Sequence, residues 1–181
     1  MSDENPLGIP AKRHINPDGT EGGWVADTAT VAPTAHIGAN ARVCGTARVY
    51  GNARVYGTAW VYGIARVYGN AWVYGNAQVS GNAWVSGNAQ VSGIRHVLTV
   101  GPLGSENQFM TVAPHVDGLD ADPVCTVGCW TGRLSELKTE VEARGAEQFW
   151  PEYKAARKLA RLRQQEWLEA TTDDNERNSD D

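Results

Sequence analysis

Between Gly101 and Arg161 the chain gathers residue types that suit the binding of a small anion. Gly101-Pro102-Leu103-Gly104-Ser105 is a glycine turn whose free backbone amides can cradle an anion. It lacks the lysine and the length of a nucleotide P-loop, so it reads either as a cradle or as a plain hairpin turn. The amides of Gly104 and Ser105, the hydroxyls of Ser105, Thr131 and Tyr153, and the guanidiniums of Arg157 and Arg161 are the groups suited to phosphate. Arg157 and Arg161 lie four and eight residues beyond Tyr153, so all three can share one side of a helix. Trp130 adds a ring face for stacking. Whether these groups converge depends on how the helix is turned.

Other reactive residues point to less. Cys129 precedes a predicted helix start, where a helix dipole can activate a thiol. Its neighbours Val127 and Trp130 suggest a buried structural thiol instead, and no histidine stands beside it. His14, His36, His96 and His115 are far apart, so no catalytic residue, metal site or cofactor is assigned. Cys44, Cys125 and Cys129 are an odd set outside any metal spacing, which fits a reduced, cytoplasmic setting. With Cys125 and Cys129 on one predicted strand they would stand ~13 Å apart, beyond the ~7 Å limit for a disulfide, so free thiols are expected.

The elements that must position these groups begin with a repeat. From Val25 to Val97 a valine or isoleucine recurs at every sixth residue, and an alanine column two residues upstream runs from Ala29 to Ala89. Glycine follows the valine by two, from Gly45 to Gly93, often as Gly-Asn. Six is three times the strand period of two and no multiple of 3.6, so each unit reads as a short strand with Ala and Val inward, then a corner. Outward positions carry arginines and aromatics: Arg54, Trp60, Tyr62, Tyr68, Trp72, Tyr74 and Trp84 stand out. With eighteen residues per coil, Trp60 lies over Arg42, Trp72 over Arg54, Trp84 over Arg66, Tyr50 meets Tyr68 and Tyr56 meets Tyr74. These ladders either ease strand stacking alone or form the interface of a homo-oligomer.

The pattern resembles the hexapeptide-repeat proteins that fold as left-handed parallel β-helices. That resemblance implies about four coils, roughly 20 Å tall at ~4.8 Å per strand. It also implies association through the prism faces, hence a homotrimer. Tyr or Ser stands after the valine here, where that family often has a small or acidic residue. Acyltransferases of the family use a histidine at a coil boundary and interrupt the repeat with a cleft-walling loop; this repeat has no insertion. Enzyme is therefore the alternative reading.

Four segments follow: a disordered leader 1–20, the β-helix 21–97 with Trp24 as candidate plug of the first coil, an α+β module 98–170, and a disordered acidic tail 171–181. The module reads as strands His96 to Val100, Gln108 to Val112 and Val124 to Trp130, then helices Ser135 to Arg144 and Glu147 to Glu169. The Val-Tyr-Gly-Asn-Ala-Arg run at Val49 to Arg54, with the Gly-Pro-Leu-Gly-Ser turn and Gly128-Cys129-Trp130-Thr131-Gly132, resembles phage and prophage proteins. In those relatives the second motif opens a helix, and arginines stand where this chain has Glu106 and Pro151. The resemblance implies a non-catalytic oligomeric binding protein, sequestering a small nucleotide-like host defence signal in the host cytoplasm; a virion stalk competes. The net charge of −5 and the lack of a basic face outside Lys154 to Arg163 argue against nucleic acid. No apolar run suggests a signal peptide or a membrane span.

Overall fold

Alternating inward Ala and Val residues can be buried only if the chain closes on itself, and it does so as a parallel β-solenoid. The computed structural model describes residues 4–177, with side chains through 170. Strands β1 (Ala11–Ile15) and β2 (Glu21–Ala26) lead into eleven two-residue strands, one per repeat. These are β3 (Thr30–Val31), β4 (His36–Ile37), β5 (Arg42–Val43), β6 (Arg48–Val49), β7 (Arg54–Val55), β8 (Trp60–Val61), β9 (Arg66–Val67), β10 (Trp72–Val73), β11 (Gln78–Val79), β12 (Trp84–Val85) and β13 (Gln90–Val91). They stack as three sheets, β1-β2-β5-β8-β11, β4-β7-β10-β13 and β3-β6-β9-β12, so every third strand pairs and a coil takes eighteen residues, as in Val67 against Val85. Ala41 to Ala77 and Val43 to Val79 on the columns are fully buried. The corner glycines from Gly45 to Gly87 adopt positive φ, and a Cβ on Gly45 would stand 2.7 Å from the Gly63 carbonyl of the next coil. Only glycine fits such a corner.

The first coil is closed differently from the expectation. Residues 11–15, assigned above to a disordered leader, pair as β1 antiparallel to β2. Trp24 is no plug; it faces outward with the Arg13 guanidinium 4.9 Å from its ring. Asn16 does the capping. It is buried, its Oδ1 accepts from Ile37 N at 2.8 Å and its Nδ2 donates to Thr20 Oγ1 at 3.1 Å. A side-chain amide thus stands in for a missing strand, since a buried backbone amide left unpaired costs about 1–3 kcal/mol.

The far end is closed by the module. Strands β14 (Leu98–Leu103), β15 (Gln108–Ala113), β16 (Val124–Val127) and β17 (Trp130–Arg133) form an antiparallel sheet in chain order. This sheet sits on the last coil: Gln90 N donates to Pro114 O at 2.8 Å, Val116 N to Asn88 O at 2.9 Å and Trp84 N to Thr111 Oγ1 at 2.9 Å. Ala113 and Val124 complete the shaft's own apolar core. The expected strand Val124 to Trp130 is two strands. Gly128, at φ +56°, turns the chain there, which puts Cys125 on β16 and Cys129 in the turn; all three cysteines are free.

Helices α1 (Leu137–Ala143) and α2 (Trp150–Arg177) cover the other side of the sheet. Gly145, at φ +64°, follows α1, and Pro151 falls in the first turn of α2 as expected. Tyr153, Ala156, Ala160, Gln164 and Trp167 are the buried face of α2, and Gln164 Nε2 donates to the carbonyls of Leu119 and Ala121 at 3.0 and 2.8 Å. Of the expected disordered tail, 171–177 continues α2 and 178–181 lies outside the described residues.

The hinge between shaft and module carries a titrating group. His96 is partly buried, its Nδ1 is 3.0 Å from Ser92 Oγ and its ring 5.9 Å from that of Trp167. Burial pushes its pKa below the ordinary 6.5. The unfolded chain therefore binds this proton at a higher pH than the folded one, so stability falls as pH drops through 6.5 and levels once the folded ring is protonated. Thermal unfolding at about pH 5.5 should show a lower midpoint than at about pH 7.5, and His96→Gln should shrink that difference. An undiminished difference in the variant removes His96 as its source.

Candidate functional site

The turn at 104–107, β17, α1 and the start of α2 enclose a cavity of about 120 Å³. Gly104, Ser105, Trp130 and Tyr153 line it together with Glu106, Glu140 and Arg144. Gly104 has φ +68°, and a Cβ there would stand 2.7 Å from the Tyr153 hydroxyl oxygen, so no other residue lets the tyrosine in. The Gly104 amide is not free, because it donates to Glu152 Oε2 at 2.9 Å. Arg144 is paired with Glu140, whose hydrogen bond raises the guanidinium's pKa, and its Nη2 is 3.9 Å from Cys129 Sγ. Burial pushes the Tyr153 hydroxyl's pKa up, and the Glu152 charge adds to that. A phosphate here would meet Glu106 and Glu140 at short range. The space is also well below the ~300–1,000 Å³ of ordinary small-molecule sites.

The remaining candidates lie elsewhere. Gly101 is within β14, where a Cβ would stand 2.8 Å from both Gln108 O and the Phe109 ring; it permits strand approach. Thr131 Oγ1 joins a hydroxyl cluster with Ser86 at 2.7 Å and Thr126 at 3.3 Å, which fastens the module to the shaft. Arg157 and Arg161 line a shallow groove with Pro151, Lys154 and Lys158. Each four-residue step overshoots a full helical turn by about 40°, so Arg161 is swung about 80° from Tyr153 and about 12 Å along the axis. It pairs with Asp122 and donates to Gln164 Oε1 at 2.9 Å. Burial, the largest influence on the Asp122 carboxyl, raises its pKa, but hydrogen bonds from Ser135 and Arg161 together hold it below the usual value. Cys129 is exposed and starts no helix. Cys125 is buried, and burial pushes its thiol up to about 12, an unreactive form. Among the described residues there is no group of three or more His, Cys, Asp or Glu placed to hold a metal, and no helix is long and apolar enough to cross a membrane.

One stretch of the shaft's sequence is chemically one-sided. From Thr28 to Ser105 there is no Asp or Glu, while Arg42, Arg48, Arg54, Arg66 and Arg95 fall within that stretch. Arg54 lies 5.2 Å from the Trp72 ring and Arg66 lies 5.0 Å from that of Trp84, each pair in register between neighbouring coils. The other ladders run diagonally. Trp60 Nε1 donates to Cys44 Sγ at 3.2 Å, the hydroxyls of Tyr62 and Tyr74 reach Gln78 and Gln90 at 3.4 Å, and Tyr68 meets the Trp84 ring at 5.2 Å. Residues sixteen apart make these contacts because a long side chain after one valine reaches the position before the valine above. Where the face of β9 and β12 meets the cap, Ile64, Arg66, Asn82, Trp84, Gln108 and Phe109 border a groove of about 270 Å³. This surface was legible as a run without acids, but the net charge of the whole chain hid it.

Comparison with known proteins reaches the shaft. No curated protein and no solved structure shows significant similarity to the chain. Residues 47–63, 65–77 and 77–93 match the family model described as the YdcK Beta solenoid repeat. Over those coils the chain is similar to that repeat, and its structure there is the β-solenoid described above.

Proposed function

We propose that the protein is a non-catalytic oligomeric binding protein whose rigid shaft carries a small, nucleotide-like anion. The observation behind this reading is the acid-free stretch from Thr28 to Ser105, in which Arg54 and Arg66 pack on the Trp72 and Trp84 rings. Such a stretch attracts anions and offers stacking faces at once. The phage-type resemblance supports sequestration of a host defence signal in the host cytoplasm, and exposed Trp72 and Tyr50 support assembly through the faces, as a homotrimer. A structural stalk is the second reading, favoured by the way the module's sheet completes the shaft core.

Native mass spectrometry of protein purified from the producing cells tests both halves together. A trimeric mass with a retained small anion is the expected result. A clean monomer without any bound molecule at micromolar concentration would leave the stalk reading.

A further inference from the structure

The preceding reading places an anion on the shaft without saying where, and the inference here rests on it. We infer that the anion's site is the groove at the junction of shaft and cap, bordered by Arg66, Asn82, Trp84, Gln108 and Phe109, and that its ligand is a small planar aromatic anion.

Arg66 supplies the charge. It is exposed, no carboxylate among the described residues is in salt-bridge range of it, and it lies in register over Arg48, which is exposed as well. Two like charges on neighbouring strands repel unless an anion joins them. The guanidinium is held 5.0 Å from the Trp84 ring, so its position is set before any ligand arrives. Phe109 offers a ring, and the exposed amide of Asn82 offers a donor and an acceptor suited to the edge of a planar heterocycle, while the Trp84 ring, packed by Arg66 and by Tyr68 at 5.2 Å, borders the groove. Gln108 Nε2 donates to Glu106, which sets one carboxylate beside the groove, opposite its Arg66 end. The groove, at about 270 Å³, is larger than the 120 Å³ acid-lined cavity in the module.

Isothermal titration of the full chain with adenosine monophosphate, adenosine and inorganic phosphate tests this. The monophosphate should bind, and adenosine and phosphate alone should each bind about tenfold or more weakly, as expected when ring and charge are both read. Arg66→Ala should cost about tenfold in affinity, and Trp84→Phe, which weakens the ring contact that places the guanidinium, should weaken binding while leaving the protein folded. Arg144→Ala, in the module cavity, should leave affinity unchanged. If the monophosphate binds and Arg144→Ala abolishes binding while Arg66→Ala does not, the site is wrong and the binding function stands. If the parent binds none of the three probes, the anion-binding function itself falls.

Discussion

Val67→Asp is expected to abolish folding. Val67 is fully buried and stacks in register between Val49 and Val85, with alanine columns on either side. Among the described residues no cation reaches that interior, so a carboxylate there must be buried unpaired or take up a proton, at a cost of several kcal/mol. A domain of this size has only about 5–15 kcal/mol of stability in all. Because each coil touches only its neighbours, a failed middle coil also disconnects the two ends. Circular dichroism of the variant should show no cooperative melt; a parent-like melt would mean the valine column does not face inward.

Gly23→Ala is expected to do serious damage of a more local kind. A Cβ on Gly23 would stand 2.1 Å from the Ala41 carbonyl oxygen and 2.6 Å from that of Gly38. Both are backbone atoms of the next coil, so relief requires β2 to move off β5 and give up the bond from Trp24 N to Ala41 O at 3.2 Å. Strain of this kind belongs with the severe single substitutions, at several kcal/mol. The lesion lies in the end coil, which in a stacked array can open without the rest. Hydrogen exchange should show protection lost around Ile37 and Val43 and kept around Val79 and Val91. Equal protection throughout would show that β2 has room for a side chain.

The shaft could be read from its residues because burial repeats: the Ala and Val columns carry the same instruction in every coil. Its ends could not, since they do once what the coils do many times. Asn16 substitutes for a strand with one side chain, and nothing periodic marks it. The module was read in outline, with the positions of Pro151 and Gly145 correct, but the Val124 to Trp130 run looked continuous because Gly128 hides a turn between two apolar stretches. Spacing alone puts Arg157 and Arg161 on the side of Tyr153, but a helical face drifts over two turns. The Gly104 amide reads as open because the acceptor that fills it, Glu152, lies far along the chain.

Strand pairing at every third repeat also constrains how this protein can change length. The cap meets the last coil through particular partners, Trp84 with Thr111 and Gln90 with Pro114. Adding or deleting eighteen residues would slide the cap along the shaft by roughly 4.8 Å and leave it facing the same way. A change of six would instead present a different prism side to the cap and carry the Arg66 groove out of alignment with Phe109. Viable relatives should therefore differ by whole coils, which makes the molecule a ruler whose graduations are set by its geometry.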